Sequence, residues 1–157
     1  MAQLDYFERN LNTLASILAK MLKLKYADLD VSEMKELNTF CVNELDLDLK
    51  KLLNISLENL ATELTHREIR QLKIIEKTLS FFYTNSFDEN GITQSESEKN
   101  TICDKIILTK FSILSNSEAL DLNLLREIRQ LLQERAGELP EILKSKIDKY
   151  AHWSVKF

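Results

Sequence analysis

Glycine and proline are nearly absent from this sequence of 157 residues, which contains Gly91, Gly137 and Pro140 and no others. A fold of short β-strands needs many such residues at its turns, so their scarcity argues against an all-β protein. Valine, which favours strands, occurs only at Val31, Val42 and Val155. Leucine and isoleucine dominate instead, and leucine, which is not branched at Cβ, loses little rotamer freedom in a helix. The composition predicts an all-α protein.

The sequence also lacks an excess of positive charge and any long apolar run. Its formal net charge is −4 and its pI is about 5.3, so it offers nucleic acid no general electrostatic attraction. No window approaches the roughly 18 consecutive apolar residues that indicate a membrane-spanning helix. The first residues form a charged amphipathic stretch, unlike a signal peptide. We therefore expect a cytoplasmic protein with no membrane span and no nucleic-acid partner.

Cysteine is scarce as well. Cys41 and Cys103 are the only two, and they lie far apart without CxxC spacing. We interpret them as reduced, buried, small apolar side chains, with a disulfide or a catalytic thiol as the less favoured alternatives.

Apolar residues recur at spacings of three and four along most of the chain, which predicts about six to seven helices. The first runs from Leu4 to Lys25, and the second is capped by Asp30 or Ser32. After a break at 46–48, Ser56 opens another short helix. A capping box of Thr65 and Glu68 then begins a helix whose apolar stripe is Ile69, Leu72, Ile75, Leu79 and Phe82.

Residues 85–97 abandon this periodicity and are polar and acidic, which predicts an exposed loop. Helices follow on the stripes of Ile106 and Ile128, with Gly137 as a stop signal and Pro140 in the first turn of the last helix. We expect one domain over 1–157, either a compact helical bundle or stacked helical hairpins. The predicted common core is Ile69, Leu72, Ile106, Phe111, Ile128 and Leu131.

Two segments of the first half carry a family resemblance. The first helix contains Asp5, Tyr6, Phe7 and Arg9 followed by Leu18, Ala19 and Lys20, and the segment LDLDLKKLLNI covers 45–55. Together they resemble small uncharacterised bacterial helical proteins of tetratricopeptide-like architecture. The resemblance implies stacked helical hairpins and supplies no catalytic residues, because that group has no settled activity.

A search for chemistry finds no phosphate-binding loop, no GxGxxG, HExxH or GxSxG motif and no zinc-type spacing. Glu63 and His66 have the Glu-x-x-His spacing of di-iron bundles, but His152 does not supply the second copy that such a site needs. We therefore predict no catalytic residues, no metal and no cofactor. Carboxylates from distant segments could still meet in a cleft.

The hexapeptide REIRQL occurs at 67–72 and again at 126–131. On a helix its two arginines share one face, where each can bind a carboxylate through two hydrogen bonds. Arg67, Arg70, Arg126 and Arg129 are therefore the candidate partner-binding residues, with simple exposure to solvent as the alternative. The favoured function is a non-enzymatic helical adaptor for another protein. The alternatives are a small-molecule-binding or enzymatic helical bundle and a structural homodimer.

Overall fold

The computed structural model describes residues 2–22, 31–86, 88, 92–117, 120–135 and 137–150. These residues form eight α-helices and no β-strand, which confirms the all-α prediction and comes close to the predicted number of helices. In chain order the helices are α1 (Ala2–Leu22), α2 (Val31–Leu45), α3 (Leu49–Asn54), α4 (Leu57–Leu64), α5 (Ile69–Asn85), α6 (Glu96–Ser115), α7 (Leu122–Glu134) and α8 (Glu141–Tyr150). No described helix has the length and apolarity needed to cross a membrane.

The chain divides into two compact units. One consists of 1–55 with 81–94, and the other of 56–80 with 95–157. The expectation of a single domain over 1–157 stays a prediction.

In the first unit, α1 packs against α2 and α2 packs against α3. Leu14 and Ile17 from α1 are buried, as are Leu37 and Cys41 from α2. An ion pair joins Lys20 Nζ to Glu36 Oε1 at 3.5 Å, across the helix pair. Both helices therefore supply residues to the core of this unit.

Short polar residues begin the next two helices, and Ser56 was predicted to do so. The Asp48 side chain accepts a hydrogen bond from the backbone N–H of Lys51, and Ser56 does the same for Asn59. Asp46 has a φ of 54°, a left-handed conformation that aspartate tolerates better than most residues, and it marks the predicted break after α2. Ser32 is the second residue of α2, and Asp30 lies outside the described residues.

The second unit is organised around α6, which packs against α4, α7 and α8. Every residue from Ile102 to Phe111 is buried, so the helix has no solvent-facing side over this stretch. Ser95 and Glu98 form a reciprocal capping box at its start, and Asn116 ends it. Tyr150 from α8 stacks on Phe111, with ring centroids 5.6 Å apart, and its hydroxyl lies 3.2 Å from Ser115 Oγ.

The start of α5 corrects one sequence prediction. Thr65 is the C-cap of α4, and its hydroxyl donates to the carbonyl of Thr62, so Thr65 and Glu68 form no capping box. The helix begins instead at Ile69, and the backbone N–H of Glu68 just before it donates to Gln71 Oε1 at 3.2 Å. Thr65 cannot begin the helix because the chain is still completing the end of α4, where the next two N–H groups donate to the carbonyls of Glu63 and Leu64.

Two members of the predicted common core are also misplaced. Ile69 is 39% exposed because it lies in the first turn of α5, ahead of the buried stripe. Leu131 is half-buried. Leu72, Ile106, Phe111 and Ile128 are buried, as predicted.

The described part of the segment at 85–97 is half-buried up to Asp88 and exposed from Ile92 onwards, apart from Gln94. Ile92 is 62% exposed, whereas the Gln94 side chain is buried. Two backbone hydrogen bonds, from Asp88 N–H to the Ile92 carbonyl and from Gln94 N–H to the Ser86 carbonyl, fold the segment back on itself. Loop and helix boundaries agree to within two residues, because α5 ends at Asn85 and α6 starts at Glu96.

Gly137 and Pro140 both lie between α7 and α8, so Pro140 is one residue outside the helix whose first turn it was predicted to occupy. Helix α7 ends at Glu134, and Gly137 has a φ of 84°, a conformation that glycine adopts without strain. Pro140 lies immediately before α8, and its carbonyl accepts hydrogen bonds from Leu143 and Lys144. Trp153 and Phe157, the aromatic residues that could dock the C-terminus, lie outside the described residues.

Candidate functional site

The four arginines singled out by the sequence lie in two different settings. Arg67 precedes α5, so Arg67 and Arg70 do not share a helix face, and that part of the prediction is wrong. The side chain of Arg67 is only 12% exposed and donates to Glu63 Oε2 at 3.1 Å. Arg70 is half-buried in the first turn of α5. Reaching a partner would require Arg67 to give up an existing ion pair.

Arg126 and Arg129 match the prediction, because both lie inside α7 and both are exposed. The one polar contact of Arg126 with described residues is a long hydrogen bond of 3.5 Å to the side-chain oxygen of Asn123. Neither arginine forms an ion pair with any residue that the structure describes. Their guanidinium groups are available to a carboxylate from outside.

These arginines belong to a line of exposed residues along α7 that we call the arginine row. Its members are Leu122, Arg126, Arg129 and Gln133. Their spacings of four, three and four residues keep all of them on one side of a helix with about 3.6 residues per turn. Leu122 is 51% exposed, so the row presents an apolar side chain at one end and two cations in its middle.

The acidic residues of α7 lie beside the row and are already engaged. Glu127 Oε2 accepts a hydrogen bond from Lys110 Nζ at 2.9 Å. Glu134 Oε1 accepts one from Gln130 at 3.4 Å. Since residues one or two positions apart do not face each other on a helix, Glu127 is poorly placed to neutralise Arg126 or Arg129. The row therefore keeps its positive charge on a chain whose net charge is negative.

Lys110 connects α6 to two neighbouring helices. Its ammonium donates to Glu76 Oε1 from α5 and to Glu127 Oε2 from α7, both at 2.9 Å. Ser80 donates a further hydrogen bond to Glu76 at 3.0 Å. Burial alone would lower the pKa of Lys110, but attraction and hydrogen bonding to Glu76, reinforced by Glu127, raise it above its ordinary value.

The raised pKa has a chemical consequence. A lysine acts as a nucleophile or a general base only as the neutral amine, which requires a lowered pKa. Lys110 is instead held as an ammonium, so the two carboxylates and the lysine form an ion-paired structural cluster. The sequence had left open that carboxylates from distant segments meet in a cleft. Glu76 and Glu127 do come together from distant segments, but around the ammonium of Lys110.

A second ion pair fixes the end of α7 to α6. The Arg135 guanidinium donates to both carboxylate oxygens of Asp104, at 2.7 and 2.9 Å, and to the Glu138 carbonyl at 2.8 Å. Hydrogen bonding to Asp104 raises the pKa of Arg135, against a smaller opposing effect of burial. Both side chains are 8% exposed, so this arginine is used inside the protein, unlike those of the arginine row.

Sequence reasoning missed these buried charges, although a signal was present. Asp104, Lys105 and Lys110 are buried on α6, with Lys105 only 1% exposed. The apolar residues of α6 spread over more than half of its circumference instead of forming one narrow stripe, a distribution typical of a buried helix. Charges on a buried helix need internal partners. The partners themselves are distant in sequence, at 76, 127 and 135, and no local pattern identifies them.

The possible metal ligands do not assemble. His66 is exposed, and Glu63 pairs with Arg67. No group of three or more His, Cys, Asp or Glu side chains among the described residues is arranged to hold a metal ion. His152 lies outside those residues. Cys41 and Cys103 are both buried and neither forms a disulfide bond, as their sequence context predicts.

Comparison with protein-family models, with curated proteins and with solved structures finds no match. The resemblance to bacterial proteins of tetratricopeptide-like architecture is thus neither supported nor refuted, and it stays an expectation.

Proposed function

We infer that this protein is a non-enzymatic helical interaction module, and that the arginine row of α7 binds an acidic segment of a protein partner. The observation that carries the proposal is the exposure of Arg126 and Arg129 without a carboxylate partner among the described residues. Arginine binds carboxylates through two parallel hydrogen bonds, and exposed arginines are frequent at protein interfaces.

The treatment of the other charges supports this proposal. Arg67 and Arg135 are engaged by Glu63 and Asp104, and Glu127 is engaged by Lys110. The cationic character of the row is therefore a local property of α7 and not a reflection of the overall composition. Buried cysteines outside any disulfide are typical of a reducing compartment, and we include a cytoplasmic location in the proposal.

Reversal of charge at Arg126 and Arg129 tests the function. The double variant Arg126→Glu with Arg129→Glu should retain the helicity and melting temperature of the wild type, because both side chains are exposed. Affinity capture from the native cell, with identification of the recovered proteins, should show loss of one stoichiometric partner that has an acidic segment. Salt should weaken its capture by the wild type, as expected for an exposed ionic contact.

The matched control is Lys50→Glu with Lys51→Glu on α3, which makes the same change in net charge at two other exposed positions. The control should keep the partner. Equal capture by the wild type and by the row variant would contradict the proposal. Charge reversal at Arg67 and Arg70 is a poorer test, because the loss of the Arg67 to Glu63 ion pair disturbs the protein itself.

A further inference from the structure

We propose that the segment bound by the arginine row is an acidic amphipathic α-helix that lies along α7 and places an apolar side chain against Leu122. This inference rests on the proposed function and specifies the chemistry and conformation of the partner. It follows from the order and the spacing of the four residues in the row.

The row offers a partner two kinds of contact, one apolar and one ionic. Leu122 is the first residue of α7 and is 51% exposed, while Arg126 and Arg129 follow on the same side. A purely acidic, unstructured segment would satisfy the arginines and leave Leu122 in water. A segment that carries one apolar residue followed by two acids satisfies all three.

The spacing of the row matches a helix better than an extended chain. With a rise of about 1.5 Å per residue, Arg126 lies about 6 Å and Arg129 about 10.5 Å from Leu122 along the helix axis. A partner helix with an apolar residue and acids four and seven positions away has the same spacing. An extended strand repeats its side chains on one face every 6.6 Å or so, which gives about 6.6 and 13 Å and misses the second arginine.

Charge favours a partner of different composition over a second copy of this row. Two rows facing each other would bring four arginines together, and like charges in contact are unfavourable. The neighbouring Glu127 does not offset this repulsion, because its Oε2 is already paired with Lys110 Nζ at 2.9 Å. The occupant must bring its own carboxylates.

The test uses four labelled probes with wild-type protein. The first is a capped acidic peptide of about 18 residues, long enough to form helix in water, with leucine followed by glutamates four and seven positions later in an alanine-rich background. The second is the same peptide with one central alanine replaced by proline, which breaks helices. The third replaces the glutamates with lysine. The fourth is a vesicle of phosphatidylcholine with phosphatidylserine.

Fluorescence anisotropy should show binding of the first peptide, and circular dichroism should show that its helicity increases. The proline peptide should bind at least about tenfold more weakly, since it must present the same groups without a helix. Leu122→Ser should weaken binding of the first peptide by about five- to tenfold, the loss expected for one partly buried leucine contact. The same substitution should leave binding of the proline peptide unchanged.

The outcomes separate the two levels of the proposal. Equal binding of the helical and proline peptides, with no effect of Leu122→Ser, overturns the helical partner and leaves an acidic segment as the ligand. Failure of both acidic peptides, or equal binding of the lysine peptide, removes the proposed function as well. Binding of the vesicles alone, lost in Arg126→Glu with Arg129→Glu, identifies an anionic lipid surface and overturns both.

Discussion

The two copies of REIRQL have the same six residues and different structural roles. The copy at 67–72 spans the start of α5, so its isoleucine, Ile69, is 39% exposed and its leucine, Leu72, is buried. The copy at 126–131 lies wholly inside α7, where Ile128 is buried and Leu131 is only half-buried. The buried position shifts by three residues within an identical sequence. What surrounds the hexapeptide determines which of its residues enter the core.

The largest expected effect of this difference is on stability. Ile128→Ala removes a fully buried side chain and should lower the free energy of unfolding by about 2–5 kcal/mol. Ile69→Ala, the same substitution at the matching position of the other copy, should cost less than about 1 kcal/mol, because Ile69 already contacts water. Urea denaturation of both variants measures the two costs.

Equal costs for the two alanine variants would contradict the difference in burial between Ile128 and Ile69. They would mean that the exposed position of Ile69 does not describe the protein in solution. A similar pair, Leu72→Ala and Leu131→Ala, reverses the order, since Leu72 is fully buried and Leu131 is not.

The comparison also shows how far the sequence can predict this protein. Helix type, most helix boundaries, the break at 46–48 and the cap at Ser56 depend on local patterns, and these agree with the structure. Which residues of the first REIRQL copy are buried depends on where α4 ends and α5 begins. The capping pattern of Thr65 and Glu68 predicted this boundary incorrectly. Glu127 is paired with Lys110, which is 17 residues away in the sequence. Local patterns could therefore predict that Arg126 and Arg129 are exposed on one helix face, but not that the neighbouring carboxylate of Glu127 pairs with a lysine of another helix.

A second prediction concerns the cluster that anchors the copy at 126–131. Lys110→Met keeps the side-chain volume but removes the cation from Glu76 and Glu127, and it should cost about 1–3 kcal/mol because the partly buried Glu76 loses its ion pair. The exposed Lys77 on the preceding helix provides the control, and Lys77→Met should have little effect.

The pH dependence of that cost follows from the raised pKa of Lys110. A cation whose pKa is higher in the folded state stabilises the fold fully at any pH below its unfolded-state pKa, which is about 10.4 for lysine. This stabilisation is lost as the pH rises through the pKa of the folded state, which for Lys110 is raised. The difference in unfolding free energy between wild type and Lys110→Met should therefore stay constant from about pH 7 to about pH 9 and shrink only above about pH 10.4. A difference that already shrinks near neutral pH would show that Lys110 is not held as an ammonium by its two partners.

The smallest effect on stability, and the sharpest comparison of the two copies, comes from their glutamates. Glu127→Gln keeps a hydrogen-bond acceptor for Lys110 but removes the negative charge of one partner. Because Glu127 is 57% exposed, the substitution should cost no more than about 1 kcal/mol. The exposed Glu68 pairs with no described cation, and Glu68→Gln should cost almost nothing. Although Glu127→Gln should slightly destabilise the fold, it should strengthen the proposed binding. Because Glu127→Gln deletes a negative charge beside Arg126 and Arg129, it should tighten binding of the acidic helical peptide about two- to threefold at low salt, and the gain should disappear as salt screens the row. Glu68→Gln, which makes the same change in net charge at the other copy, should leave the peptide affinity unchanged. Equal tightening by both variants would show that the peptide responds to the overall charge of the protein and not to the arginine row.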